Sequence, residues 1–258
     1  MYNISDKKRI VVKVGTSTLS YGNGNINIRR VETLVRVLSD MINSGKEVLL
    51  VTSGAVGVGA GRMGLSEKPL EVTVKQACAA VGQSALMNLY DTEFTKYSHT
   101  VAQILLTRDV VSNKERSANV QNTFERLLSM KAVPIINAND SVSIEQLDFD
   151  ENDTLSAMVA KLIRADLLVI LTDVDGLYDK NPSEPDAKLI PVVNKITGEM
   201  IENAKDRGSA FSSGGMLTKI EAAMLAKEGD ISTVVINGEN PRILYDLFEN
   251  KAICTIFI

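Results

Sequence analysis

The sequence predicts an α/β fold, a three-layer αβα sandwich built on a largely parallel central sheet. Three observations predict it. Short β-branched runs of buried character recur along the chain, amphipathic segments separate them, and four of the runs end in small, polar or charged residues. Strands covered on both faces and joined by helices pair in parallel. Sites in such sheets lie beyond the carboxyl ends of the strands, so those four ends are the places to look for function.

The first strand is RIVVKV at 9–14, which leads into Gly15-Thr16-Ser17 and carries Lys13 near its end. From Arg29, the apolar positions Val31, Leu34, Val35, Leu38, Met41 and Ile42 recur at three- and four-residue steps, which places them on one helix face. EVLLVT at 47–52 is the second strand and runs into Ser53-Gly54. After the glycine-rich VGVGAGRMGL, the stretch KQACAAVGQSALMNLY has helical composition. VAQILLT at 101–107 and VPII at 133–136 follow, the latter ending in Asn137-Ala138-Asn139-Asp140. Beyond ENDT, Leu155, Met158, Val159, Leu162 and Ile163 repeat the helical pattern, with Asn152 and Asp153 placed to cap the helix. DLLVILT at 166–172 ends in Thr172-Asp173, and DKNPSEPDAKLIPVV is a loop dense in turn residues. SSGGMLTK at 212–219 reads as a glycine pair opening a helix, and STVVI at 232–236 is a sixth strand. One continuous sheet in a single domain over 1–258 is expected, with a first part of about 1–165 and a second of about 166–258.

Charge narrows the partners. A net charge of −4 argues against general attraction to nucleic acid or anionic membranes and leaves a small molecule as the expected partner. Cys78 and Cys254 have no metal-ligand spacing and read as buried small hydrophobes. The N-terminus lacks the layout of a signal peptide and no apolar run reaches the length of about 18 residues that a membrane helix needs, so a cytoplasmic location is expected.

Two motifs mislead. Gly59-Ala60-Gly61-Arg62-Met63-Gly64 spells the dinucleotide fingerprint, but it starts seven residues beyond Thr52 instead of at the strand end, and no acid closes a following strand. Those glycines fit close backbone packing, or close approach to a ligand near Ser53-Gly54. DFDENDTLSAMV, from Asp148, opens like a calcium loop and fails at its sixth and twelfth positions, Asp153 and Val159. A Walker loop is absent, and the single histidine, His99, rules out multi-histidine metal sites.

Lys13 at a buried strand end, Lys219 early in a helix after Ser213-Gly214-Gly215, and the polar set Asp140, Asn152 and Asp153 remain to be explained. With them VVKVGTSTLS, VTSGAVGVGAGRMGL, VPIINANDSV, FDENDTLSAMVA, LLVILTDVDGLYDKNP and SGGMLTKIEAAMLA appear in an order similar to that of the amino acid kinase family, over nearly the whole chain. SGAVGVG and FDENDTLSA resemble the members that phosphorylate the γ-carboxylate of L-glutamate, the first step of proline biosynthesis. The resemblance implies an amino acid kinase-like fold whose first part takes the amino acid and whose second takes the nucleotide. It implies that Lys13 and Lys219 contact ATP phosphates while Asp153 orients both. Ser53, Gly54, Asp140 and Asn152 would hold glutamate, and Gly15, Thr172, Asp173 and Ser213, Gly214, Gly215, Met216, Leu217, Thr218 and Lys219 would line the nucleotide site. It further implies Mg2+ on the ATP phosphates, a homo-oligomer and feedback inhibition by L-proline. Glycine, glutamate and glycine are common in the family where Asp150, Ala138 and Ser212 stand, and the extra C-terminal RNA-binding-like domain of many relatives is not expected within 1–258. Kinases for acetylglutamate, carbamate or UMP, or a non-catalytic amino-acid sensor, are the competing readings.

The chemistry is self-consistent. A γ-carboxylate of reference pKa about 4.3 is ionised at neutral pH and needs no general base. What opposes the reaction is repulsion, roughly 4 kcal/mol for unit charges at about 4 Å and an effective dielectric of about 20. Two lysines, a metal and helix-terminal amides supply the countercharge.

Overall fold

The computed structural model describes residues 3–21, 25–65, 69–107, 109–110, 113–142, 152–205 and 215–258. Among them the order is β1 (Arg9–Val14), α1 (Thr16–Leu19), α2 (Ile28–Asn43), β2 (Glu47–Val51), α3 (Ala55–Arg62), α4 (Val72–Thr95), β3 (Val101–Leu106), α5 (Lys114–Ser129), β4 (Val133–Ala138), α6 (Asn152–Leu162), β5 (Leu167–Thr172), β6 (Val192–Val193), α7 (Gly198–Lys205), α8 (Met216–Lys227), β7 (Ser232–Asn237), α9 (Ile243–Phe248) and β8 (Thr255–Phe257).

One eight-stranded sheet runs β3-β4-β2-β1-β5-β7-β8-β6. Its pairings are parallel except for β7 with β8. Strands from before residue 165 fill one half of the sheet and later strands the other, and the halves meet where β1 pairs β5, from Ile10 opposite Leu167 to Val14 opposite Leu171. The period of two sorts the strand side chains between two cores. Val12, Leu50, Ile135 and Val169 pack with α2, α4 and α9 on one face. Val11, Leu49, Ile136 and Ile170 pack with α6 and α8 on the other, completing the three layers.

The helices follow their periodicity. Asn27 caps α2 by accepting a hydrogen bond from the Arg30 amide, and Val31, Leu34, Val35, Leu38 and Met41 are buried. The misleading fingerprint is mostly helix: Gly59 and Gly61 lie inside α3. A methyl group at Gly59 would sit 1.8 Å from the Cys78 carbonyl oxygen, and one at Gly82 would sit 1.8 Å from that of Ala55. Close packing of α3 on α4 is therefore what Gly59 and Gly82 permit, while Gly61 faces open space. Both cysteines are buried and free.

Three expectations change. Asn152 and Asp153 are the first two residues of α6 and not its cap, because the Asp153 side chain turns into the protein. β4 extends through Asn137 and Ala138. The short strands β6 and β8 were not anticipated. No helix among the described residues is long and apolar enough to cross a membrane.

Candidate functional site

The carboxyl ends of β4, β2, β1 and β5 lie side by side in the middle of the sheet, and the first turns of α6 and α8 arrive above them. Lys13 lies two residues after Val11, so it shares Val11's face, where α6 and α8 pack. Its Nζ meets Asp153 Oδ1 at 2.7 Å, while Lys219 Nζ meets Oδ2 of the same carboxylate at 3.3 Å. Thr218 Oγ1 donates to Oδ2 at 2.8 Å and to the Gly215 carbonyl at 2.9 Å. Lys13, Asp153 and Lys219 are 6%, 1% and 4% exposed, so water screens this triad little.

Burial pushes the Asp153 carboxyl upward, but Lys13 and Lys219, with the hydrogen bonds from Lys13 and Thr218, outweigh it and hold the group at about 2. Lys219 is shifted downward, first by burial and further by Lys13, against the pull of Asp153. An ammonium whose charged form is disfavoured gains from an arriving anion.

On the opposite face, where α4 packs, lies a second polar group. The two N–H groups of Asn152 Nδ2 are shared among three acceptors, the Thr52 carbonyl at 2.6 Å, Ser53 Oγ at 2.9 Å and Asn137 Oδ1 at 2.8 Å. Asn137 Nδ2 donates to Gln83 Oε1 at 2.8 Å, and Thr52 Oγ1 shares a proton with the Tyr90 hydroxyl at 2.8 Å. Gly54, at φ +94°, makes the left-handed turn that brings Ser53 to this network and starts α3. Beside it a cavity of about 380 Å³ is lined by Ala55, Gln83, Ser84, Ala138, Asn139 and Asp140, among others. Asp140 carries the charge there, and no Lys or Arg among the described residues lines the space. A larger depression of about 590 Å³ between α2, α4 and α9 contains none of these residues, and its walls include the half-exposed Lys96 paired to Glu93 and Glu32.

Asn152 and Asp153 are consecutive, so one helix start joins the two faces. At the second half's edge, Thr172 Oγ1 donates to Asp173 Oδ1 at 3.1 Å, and Asp173 is exposed at the mouth and near enough to pull on Lys219. Gly15 follows β1, and Gly215 caps α8, so the amides of Met216 and Leu217 open the helix, a place that favours anions. Ser213 and Gly214, with Asp150 and Ser212, lie outside the described residues. Ala138 is half-buried in the cavity wall.

Gln83 was not among the residues expected at the site, and Asn137, part of a strand end expected to carry function, was given no role there. Each is a polar residue in an apolar setting, Asn137 at the end of a buried strand and Gln83 between the buried Ala79 and Leu86, and that is the signal that could have found them.

Residues 8–237 match the model of the amino acid kinase family. The chain is 50% identical over 260 aligned residues to a glutamate 5-kinase of Clostridium perfringens, covering 99% of this chain and 97% of the relative. It is 47% identical to one from Listeria monocytogenes, over 99% of this chain and 94% of that one. Among solved structures it resembles a carbamate kinase from Giardia lamblia bound to AMP-PNP, with TM-score 0.67 at 14% identity over 99% of this chain and all of the other. A T. acidophilum isopentenyl phosphate kinase product complex matches with TM-score 0.64 at 17% identity, over 97% of this chain and all of the other.

Proposed function

The chain belongs to the amino acid kinase family, and from that membership we propose that it transfers the γ-phosphoryl group of ATP to the γ-carboxylate of L-glutamate. The product is L-glutamyl 5-phosphate, the first intermediate of proline biosynthesis. One observation carries the assignment beyond the relatives' names: Asp153 gathers Lys13 and Lys219 on one side of α6, while its neighbour Asn152 reaches toward the cavity that Asp140 lines.

The nucleotide approaches over β5 and the start of α8. Its phosphates meet Lys13, Lys219, the Gly15 turn and the amides that follow Gly215, with Thr172 and Asp173 at the rim. Glutamate lies on the β2 and β4 side, its ammonium at Asp140 and at Asn152 Oδ1, which accepts no hydrogen bond from the described residues. Ser53 and Gly54 form the floor. A γ-carboxylate oxygen bonds to the γ-phosphorus as the bond to the β,γ-bridging oxygen breaks, and ADP leaves with that electron pair. No proton moves at the reacting atoms, in keeping with a site that has no histidine base.

The two ammoniums neutralise negative charge on the transferring group, and Asp153 keeps them from repelling each other apart. Among the described residues no three His, Cys, Asp or Glu side chains cluster to hold a metal, and Asp153 is committed to its lysines. Mg2+ would be carried on the nucleotide's own phosphates beside Lys13 and Lys219 and would supply further countercharge there. Inhibition by L-proline and a homo-oligomeric assembly are supported by the family resemblance alone.

The test adds hydroxylamine to ATP, Mg2+ and L-glutamate, which converts an acyl phosphate to a hydroxamate. The expected result is hydroxamate from L-glutamate and background from N-acetylglutamate, which lacks the ammonium that Asp140 would take, and no ADP formed with carbamate or UMP as acceptor. No hydroxamate from L-glutamate would overturn the assignment.

A further inference from the structure

Three side-chain amides run in series from the first turn of α6 into the cavity wall. Asn152 Nδ2 donates to Asn137 Oδ1, and Asn137 Nδ2 donates to Gln83 Oε1, each at 2.8 Å. Their polarity is imposed by backbone groups at 2.6 and 2.9 Å: Asn152 offers its nitrogen to the Thr52 carbonyl, and Asn137 offers its oxygen to the Ala138 N–H. A carbonyl only accepts and an N–H only donates, so neither asparagine can reverse. Gln83 is thereby held with Oε1 toward Asn137. Its Nε2 is enclosed with no hydrogen-bond partner among the described residues, on a side chain only 7% exposed. Buried amide donors are rarely left unmet, so an acceptor is expected from outside the described residues.

Gln83 lines the same cavity as Asp140. Among the described residues that line this cavity none is Lys or Arg, so an amino acid whose ammonium sits at Asp140 places its α-carboxylate among neutral donors there. We propose that Gln83 Nε2 donates to the α-carboxylate of the bound amino acid, which makes Gln83 a specificity-determining residue for substrates that keep that group. This rests on L-glutamate as the substrate. Nε2 is covered, so the proposal includes a turn of the amide that keeps Oε1 on Asn137 and uncovers the nitrogen.

Two substitutions separate donor from acceptor. Gln83→Glu keeps an oxygen for Asn137 and replaces the donor with an anion; Gln83→Met keeps the length and loses both. KM is measured for L-glutamate and for 4-aminobutyrate, which has the reacting carboxylate and the amine but no α-carboxylate. Where 4-aminobutyrate turns over too slowly, its inhibition constant against L-glutamate replaces KM, and thermal unfolding monitors the fold. For L-glutamate the expected rise is about tenfold or more in Gln83→Glu and smaller in Gln83→Met, because hydrogen bonds to a charged group are the stronger class. For 4-aminobutyrate it is less than about twofold in both, since the missing group is the one Gln83 serves. If Gln83→Glu behaves like the unaltered protein, or both compounds lose by one factor, Gln83 only supports Asn137 and the proposal fails. An unaltered protein that phosphorylates neither compound defeats the glutamate assignment itself, and the proposal with it.

Discussion

Burial alone would favour a protonated Asp153, and two ammoniums reverse that. Removing the charge leaves Lys13 and Lys219 confronting each other in a dry site. Losing one member of a buried ion pair costs about 3–5 kcal/mol, so Asp153→Asn should lower the urea midpoint as well as abolish turnover. An unchanged midpoint with turnover retained would remove the role assigned to this acid. The carboxyl is held at about 2, below its usual 3.8, so its stabilisation is present in full above 3.8 and is lost as pH falls through about 2. The acid limb of kcat/KM against pH should therefore follow the substrate carboxylate near about 4.3 and not Asp153. An acid limb centred near about 2 would contradict that order. At this scale Lys13 and Lys219 stood out in sequence because charged residues beside buried segments need a reason, whereas Asp153 read as a helix cap and its tie to both lysines came from the family resemblance. The Gln83–Asn137 link was not legible, since uncharged amides 54 positions apart give no periodic signal and meet only once β4 and α4 pack.

The packing of α3 on α4 decides where Ser53 and Gly54 stand. Each helix has a glycine at the contact, and a methyl group at Gly59 or Gly82 overlaps backbone atoms that cannot swing aside. Gly59→Ala should force the helices apart, cost about 1–3 kcal/mol or more as overpacking does, and raise KM for glutamate ahead of KM for ATP. Chemical unfolding and steady-state kinetics measure the two effects. An equal rise in both KM values would detach this contact from the amino acid side. Gly59 was readable as a close-packing position because the motif starts too late after β2 to be a phosphate turn, while Gly61 and Gly64 of the same motif face open space. The long buried strands were readable for a similar reason: β5 is buried at all six positions. β6 and β8 escaped because two or three residues carry too little alternation; β8 is a strand because β7 and β6 flank it.

Across the whole molecule, the proposed function sets the amino acid over one half of the sheet and the nucleotide over the other, on either side of the β1–β5 pairing. Losses should then separate. Asp140→Ala should weaken glutamate binding by about tenfold or more, as loss of a charged hydrogen bond does, and leave the affinity for ATP within about threefold. Lys219→Ala should cut kcat by about 10²–10³-fold, the usual cost of a donor to developing charge, with much smaller change in glutamate binding. Calorimetric titration and initial rates distinguish these outcomes, and equal loss of both ligands in either variant would contradict the division. The most direct test of the central claim is a crystal structure with glutamate and a non-hydrolysable ATP analogue. The predicted result places Lys13 Nζ and Lys219 Nζ both within hydrogen-bonding distance of the γ-phosphoryl oxygens, with Asp153 still between them. Either lysine turned away from that group would contradict it.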